Sequence, residues 1–244
     1  MPLIIILLYL FASNSFANTF YNSGNTYQSS NNGSISIVNG IVIDGQVVSD
    51  RTIAGNKKIQ TKTRKLTSFN QLQVDISADI EVIHSSSPQI IITAEENIIP
   101  LIITSVVNNR LILKSNHNFW TTKGIKIKLY TEQLKHISIN GSANIVMFDI
   151  NQNQLDLHIN GAGDVNVSGS VKRLTAIIDG TGDMRLENLK ANSVVARIMG
   201  SGDIRVYATH ELSAEIMGSG DIGYRGHPKK LKKSIMGSGD IDEL

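Results

Sequence analysis

The sequence Met-Gly-Ser-Gly-Asp-Ile occurs three times in the chain, at residues 199–204, 217–222 and 236–241. Looser copies precede it, and the first glycines of successive copies stand 18 to 20 residues apart. Self-similarity at a fixed period is typical of repeat proteins, in which each unit packs only against its neighbours. The six first glycines are Gly141, Gly161, Gly180, Gly200, Gly218 and Gly237. The pattern predicts a solenoid in which every copy makes the same turn.

Alternating apolar and polar residues on both sides of the motif predict β-strands. Isoleucine stands two residues before all six first glycines, and an apolar residue stands four residues after each of them. A strand with one apolar face cannot bury that face alone, whereas stacked repeats bury like residues in ladders. The sequence therefore predicts an all-β fold, a right-handed parallel β-helix with rungs of about 19 residues.

The paired glycines of the motif are expected to form a structural turn at one corner of every rung. Glycine permits a positive φ and allows the backbones of neighbouring rungs to approach closely. The turn glycines are Gly161, Gly163, Gly180, Gly182, Gly200, Gly202, Gly218, Gly220, Gly237 and Gly239.

An acidic column follows the second glycine. We expect each carboxylate to accept backbone N–H groups at its own turn. A calcium ladder is the alternative, because carboxylates about 5 Å apart repel one another unless they are neutralised. The column consists of Asp164, Asp183, Asp203, Asp221 and Asp240, with Asn144 in the first copy.

Both ends of the repeat depart from its pattern. Asp-Ile-Glu-Val at 79–82 is similar to Asp-Ile-Arg-Val at 203–206, so the stretch from Val74 to Val82 is predicted to be a diverged rung, followed by an insertion at about 84–130. In the last copy, Lys233 and Glu243 replace apolar residues of the ladders. A polar final rung would protect the open edge of the stack from association.

The N-terminal part of the chain has a different composition. Residues 1–17 contain an apolar run followed by small residues, a pattern typical of a signal peptide for secretion. Residues 18–65 are expected to be a polar disordered leader, a short hairpin and a basic linker, and 66–244 the β-helix domain. No other segment has transmembrane length. We therefore expect an exported protein, located in the periplasm or at the cell surface.

Composition excludes several function classes. The chain has no cysteine, a net charge of +2 and 5% aromatic residues. Thiolate chemistry is impossible, and neither a strong basic field nor stacking platforms favour nucleic acid as a partner. The chain also lacks histidines spaced for a metal, a nucleophile elbow and a phosphate loop, so we expect no cofactor and no enzyme activity.

Phe119 and Trp120 are the candidates for a ligand surface. They stand in the sequence Asn-His-Asn-Phe-Trp-Thr-Thr-Lys-Gly at 116–124, which is predicted to be a loop tip. Paired aromatic rings there could stack on an envelope glycan or contact a surface protein. The alternative is a hydrophobic cover over one end of the core.

The order of these motifs resembles a known family. "FNQLQVDISADIEVIH" at 69–84, "IKIKLYTEQLKHISINGSANI" at 125–145 and the Gly-Ser-Gly-Asp repeats are similar to the auto-transporter adhesin head domain called the GIN domain. The resemblance covers 66–244 and implies an exported bacterial β-helix with no assigned catalytic residues. We thus expect a non-catalytic binding or structural module, adhesin-like in type. The alternatives are a polysaccharide-active β-helix enzyme and a calcium-stabilised surface module.

Overall fold

The computed structural model describes residues 52–244 and, before them, the backbone of five short strands. These five are β1 (Thr19–Asn22), β2 (Asn25–Ser29), β3 (Ile35–Val38), β4 (Ile41–Ile43) and β5 (Gln46–Val48). The strands that follow are β6 (Ile53–Ala54), β7 (Ile59–Lys65), β8 (Gln71–Val74), β9 (Asp79–His84), β10 (Gln89–Glu95), β11 (Ile103–Val107), β12 (Arg110–Lys114), β13 (Phe119–Trp120), β14 (Lys126–Thr131), β15 (His136–Ile139), β16 (Asn144–Ile159), β17 (Val165–Ile178), β18 (Met184–Ile198), β19 (Ile204–Ile216), β20 (Ile222–Arg225), β21 (Lys230–Ile235) and β22 (Ile241–Glu243). A 3₁₀ helix spans Ile99–Leu101.

The smaller of two compact units contains the described residues up to Ala54 together with His117–Trp120. In it, β1, β2 and β3 form an antiparallel sheet, β4 pairs antiparallel with β5, and β6 pairs parallel with β13. Strands β1 and β2 fall within the segment that the sequence predicts to be a disordered leader. The predicted signal peptide, residues 1–17, lies outside the described residues.

The larger unit, residues 55–116 and 121–244, is a solenoid of stacked coils. Each of the long strands β16 to β19 begins after one glycine turn and ends just before the next. Their N-terminal halves pair in parallel on one side of the solenoid, here called face B, and their C-terminal halves pair in parallel on the other, face A. The predicted parallel β-helix is confirmed, with about five turns and rungs of about 20 residues.

The first coil along the chain is made by β8 on face A and β9 on face B. Val74 in β8 lies opposite Ile139 in β15, and Val82 in β9 lies opposite Met147 in β16. The predicted diverged rung is therefore confirmed. The following segment is more than an insertion, because β12 and β14 stack in parallel on the other side of β8 and β9. The coil made by β12 and β14 thus comes after β8 and β9 in the chain but lies nearer to the end of the stack.

Antiparallel strands close this end of the stack. Strand β11 pairs with β12 on face A, and on face B β10 pairs with β14 and β7 pairs with β10. The segment treated as a basic linker therefore includes a strand of the solenoid, β7. Nearly every side chain of β7 is exposed. Because the strand joins the sheet through its backbone, its sequence carries no apolar alternation that could have revealed it.

Arg64 anchors β7 to the end of the stack. Its guanidinium donates hydrogen bonds to the carbonyl oxygens of Ile102 at 2.6 Å and Ile99 at 2.9 Å, and to the Thr104 hydroxyl at 3.2 Å. Burial lowers the pKa of this guanidinium from its ordinary value. The Ile99 carbonyl also accepts the Ile102 N–H at 3.3 Å, so Arg64 adds a second donor to the end of the 3₁₀ helix.

The core consists of the ladders that the repeat predicts. The isoleucine two residues before the first glycine is fully buried in five rungs, at Ile139, Ile159, Ile178, Ile198 and Ile216. Each such burial contributes about 1.5–3 kcal/mol relative to an exposed side chain. In the last rung the equivalent Ile235 is 46% exposed. Its neighbour Lys233 lies with Nζ 4.9 Å from the centre of the Tyr224 ring and donates to the carbonyl oxygen of Ile241 at 2.6 Å. A polar side chain thus lies across the end of the apolar core.

Candidate functional site

The glycine corner brings the backbones of neighbouring rungs into direct contact. A Cβ atom placed on Gly202 would lie 1.7 Å from the carbonyl oxygen of Gly182, and one on Gly182 would lie 1.9 Å from that of Gly163. No side chain fits such a gap. The glycines of this corner, all of them within the described residues, do not have a φ in the left-handed region. Close approach, rather than a positive φ, is therefore what requires glycine here.

The acidic column joins one rung to the next. The backbone N–H of Asp183 donates to the Asp164 carboxylate at 3.1 Å, and the same bond recurs from Asp203 to Asp183, from Asp221 to Asp203 and from Asp240 to Asp221. The donor belongs to the following rung, whereas the sequence suggests a donor in the same turn. A stack of parallel coils makes this possible, because equivalent turns lie directly over one another.

These hydrogen bonds also reduce repulsion within the column. Each accepting carboxylate lies against an N–H dipole, and the Arg185 guanidinium lies 3.6 Å from Asp183 and 3.9 Å from Asp164. Across residues 52–244, no three histidine and acidic side chains are arranged to hold a metal ion. The next-rung N–H groups and Arg185 thus give the column carboxylates partners within the chain.

Phe119 and Trp120 form β13, which pairs with β6 in the smaller unit instead of standing at a loop tip. Phe119 is half-buried and the Trp120 side chain is 50% exposed. Trp120 therefore retains an accessible ring, but no cavity described for the solenoid is lined by either residue.

The second corner of the solenoid is irregular, in contrast to the glycine corner. Strand β16 has a bulge between Met147 and Ile150, and Asp149 within it has a φ of 55°. In the next coil, Gly169 has a φ of 125°, and a Cβ atom there would lie 2.1 Å from the carbonyl oxygen of Ile150. Bulges and unusual φ values are concentrated near functional sites in proteins.

Two adjoining cavities of about 460 and 300 Å³ lie at this corner. We call them together the corner cleft, and both are lined by His84, Thr131, Glu132, Gln133 and Asn151. The larger also has Asn70 and Asn109 in its wall, and the smaller has Phe148, Asp149 and Gln152. Volumes of this order are typical of small-molecule sites.

Several hydrogen bonds fix the walls of the corner cleft. His84 Nδ1 lies 2.9 Å from the carbonyl oxygen of Glu132, which can only accept, so Nδ1 carries the proton and Nε2 is an acceptor in the neutral ring. The Thr131 hydroxyl donates to the carbonyl oxygen of Phe69 at 3.2 Å. Gln152 Nε2 donates to the carbonyl oxygens of Leu134 and Gln154 at 2.6 and 2.7 Å. The cleft is thus formed by side chains that the fold already holds in place.

Phe148 is the exposed aromatic residue of the corner cleft. Its side chain is 58% exposed, although it directly follows the buried Met147. An exposed ring beside polar groups is a common feature of binding surfaces. The glycine repeat does not reveal this site, because the second corner has no motif that the copies share. Phe148-Asp149 was the available signal, since aspartate tolerates a left-handed φ better than most residues.

Another concavity, of about 580 Å³, lies on the outside of face B. The ion pair between Lys128 and Glu81, at 3.2 Å, lies in it, and Thr61 and Thr93 bond to each other at 2.9 Å. These four polar side chains are therefore paired, and aliphatic surface from residues such as Ile91 makes up most of the rest.

Within residues 52–244, no helix is long and apolar enough to cross a membrane. No curated protein matches the chain. A crystal structure from Bacteroides fragilis, named as a "putative adhesin", is 27% identical, covers 79% of this chain and 100% of its own, and has a TM-score of 0.66. A structure from Parabacteroides distasonis, named as a "putative lipid binding protein", is 25% identical, covers 80% and 100%, and has a TM-score of 0.52.

The family comparison agrees with the repeat and with the fold. A family model described as "Putative auto-transporter adhesin, head GIN domain" matches residues 68–228, from just before β8 to the start of the last rung. This span is more than half of the chain and includes the corner cleft, and the glycine corner and acidic column of every rung except the last. The chain therefore belongs to the GIN domain family of auto-transporter adhesin heads.

Proposed function

We propose that this chain is an exported module of the cell envelope that binds a surface molecule and performs no catalysis. The observation that carries the proposal is the corner cleft, an open polar cavity with an exposed phenylalanine beside it. Stacked coils make a rigid support for such a site. Membership of a family named for adhesin heads, and likeness to a structure named as an adhesin, support the same role. The apolar run within residues 1–17 supports export.

A polysaccharide-active enzyme is the main alternative. Such an enzyme needs carboxylates with different protonation roles beside its substrate. Asp183, Asp203 and Asp221 of the acidic column are the carboxylates that could take these roles, but each accepts a backbone N–H from the next rung. Their identical structural task speaks against separate acid and base roles and supports a binding function.

Binding is tested with the purified full chain carrying a fluorescent label. The labelled chain is applied to intact bacterial cells, epithelial cells and immobilised matrix proteins, with and without excess unlabelled chain. We expect saturable retention on at least one surface, which the unlabelled chain displaces. The binding role would be wrong if excess unlabelled chain displaced the labelled chain from none of these surfaces.

Export and catalysis have separate tests. When the gene is expressed in a Gram-negative bacterium, cell fractionation should place the chain outside the cytoplasm, and deletion of residues 1–17 should retain it inside. Recovery of the intact chain in the cytoplasm would contradict export. Incubation with polysaccharides should release no new reducing ends, whereas their steady release would show that the chain is an enzyme.

A further inference from the structure

We infer that the corner cleft binds the end of a non-acidic oligosaccharide. This assignment rests on the proposed binding function and goes beyond it by naming the site and the class of ligand. The first argument is the chemistry of the walls. Five amide residues line the cleft: Asn70, Asn109, Gln133, Asn151 and Gln152. An amide side chain has both donor and acceptor atoms, which suits hydroxyl groups that also donate and accept.

The charge of the corner cleft selects against acidic sugars. Glu132 and Asp149 line it, while no lysine or arginine is found among the described residues of its walls. His84 offers Nε2 as an acceptor when the ring is neutral. A uronic or sialic acid carboxylate would therefore meet like charges at distances shorter than the screening length, which is about 8 Å in physiological salt.

Phe148 supplies the apolar element that sugar recognition needs. Hydroxyl groups project from the rim of a sugar ring, and its C–H groups form a face that packs on an aromatic ring. The bulge at Met147 and the left-handed Asp149 set the backbone on either side of Phe148. Gly169 packs against the same bulge from the next coil, so the ring stands on a backbone that is fixed from two sides. A preformed site loses less conformational entropy when its ligand binds.

The two cavities together suit a short oligosaccharide rather than a long chain lying along the solenoid. They lie in the part of the stack between its β12 and β14 end and β16, where segments near residues 70, 84, 109, 132 and 150 meet. The regular outer faces of later coils do not contribute to them. The ligand is therefore expected to enter by one end, with Phe148 at the edge of the cleft.

The test uses the full chain on an array of uncharged and uronic-acid oligosaccharides. The affinity of the best-retained uncharged oligosaccharide is then measured for the wild type and for Phe148→Ala, Trp120→Ala and Glu132→Gln. We expect the Phe148→Ala variant to bind the oligosaccharide at least about tenfold more weakly, because truncation of an aromatic anchor commonly causes a loss of this size. Trp120→Ala is the matched control, because its ring is 50% exposed but lies outside the cleft. Glu132→Gln should increase retention of uronic-acid oligosaccharides, since it removes a like charge.

The outcomes separate this inference from the proposed function. Loss of affinity in Phe148→Ala with an unchanged melting temperature, and none in Trp120→Ala, supports the cleft. Loss of affinity in Trp120→Ala alone would show that the oligosaccharide binds elsewhere than in the corner cleft, although the chain would still be a glycan-binding module. Saturable retention on cells or matrix proteins without binding to any oligosaccharide overturns the ligand class and leaves the proposed function. Preference of the wild type for uronic-acid oligosaccharides overturns the argument from charge. Absence of both oligosaccharide binding and surface binding overturns the inference and the proposed function together.

Discussion

The backbone N–H of Asp203 donates a hydrogen bond of 3.1 Å to the carboxylate of Asp183, one rung earlier in the stack. An aspartate column thus takes part in the hydrogen bonding between rungs, beside the main-chain ladder. Asn144 performs the same task for the N–H of Asp164 at 3.2 Å, so an amide oxygen can replace the carboxylate. We therefore expect the acceptor atom of the column, rather than its charge, to stabilise the stack.

Replacement of Asp183 tests this distinction. Asp183→Ala leaves the Asp203 N–H without its acceptor and should lower the free energy of unfolding by about 1–2 kcal/mol. Asp183→Asn keeps an acceptor and should cost less than half as much. Urea denaturation of the two variants and the wild type measures the difference. Equal losses in both variants would mean that the carboxylate acts through its charge, for example through Arg185 at 3.6 Å.

Substitution of Gly202 should destabilise the fold far more than substitution of its neighbour. The Cβ of Gly202→Val would lie 1.7 Å from the Gly182 carbonyl oxygen, so the rungs must separate, whereas Ser201 is exposed and Ser201→Val needs no such movement. We expect a loss of more than about 4 kcal/mol for Gly202→Val, the range of exceptional point mutations, and less than about 1 kcal/mol for Ser201→Val. Thermal unfolding compares them, and equal shifts in melting temperature would disprove the close-approach argument.

Gly124→Ala provides a second comparison in case Gly202→Val does not fold. Gly124 has a φ of 72°, and no atom lies within 4 Å of the position that its Cβ would take. Its replacement should cost only the strain of a left-handed alanine, about 1–2 kcal/mol. Gly202→Ala should cost more, because it has a steric clash without needing a left-handed φ. A larger loss of stability in Gly124→Ala than in Gly202→Ala would mean that a left-handed φ costs more than the close approach of two rungs.

The parts of the fold that repeat are those that could be predicted from sequence. Isoleucine before each first glycine marks a buried face, and the six copies at nearly constant spacing require a stack. The pairing of β12 with β8 could not be predicted from the sequence. The alternating pattern of β8 fits a parallel neighbour on either edge, and β8 pairs with β12 on one edge and with β15 on the other. Pairing order depends on which long-range contacts close, and a local pattern does not record it.

Most walls of the corner cleft could not be predicted from the sequence for a related reason. Its walls come from segments that lie far apart in the chain, such as Asn70 and Asn151, and they meet only once the coils are stacked. The candidates chosen by sequence were aromatic neighbours, Phe119 and Trp120, because adjacency in the chain is visible before the fold is known. Phe148 has no aromatic neighbour in the chain. The exposure of its ring becomes visible only in the folded strand β16, beside the bulge between Met147 and Ile150.

Removal of calcium should leave stability unchanged. The column carboxylates already accept backbone N–H groups, and no metal-holding group of three side chains occurs within residues 52–244. Thermal unfolding of the full chain with added Ca²⁺ and with excess chelator should give the same melting temperature. A ligand that binds only the folded state raises this temperature, and the rise grows with the ratio of the ligand concentration to its Kd. A rise of several degrees with Ca²⁺ would therefore restore the calcium ladder as a metal site.

Acid should weaken the fold through Glu95 at the end of β10. Its carboxylate is fully buried and accepts hydrogen bonds from the Thr122 N–H at 3.0 Å and the Thr122 hydroxyl at 2.8 Å. These bonds lower the pKa of Glu95 below its ordinary value of 4.5, against the opposing effect of burial. A carboxyl whose pKa is lower in the folded than in the unfolded state contributes stability that is fully present above the unfolded value and is lost as pH falls through the folded one. The free energy of unfolding attributable to Glu95 should therefore be constant near neutrality and decrease below about pH 4.5.

Urea denaturation from pH 7 to pH 3 measures this contribution in the wild type and in Glu95→Gln, which removes the titrating group. The wild type should lose more stability than Glu95→Gln over this interval, whereas parallel losses would show that other groups cause the acid sensitivity.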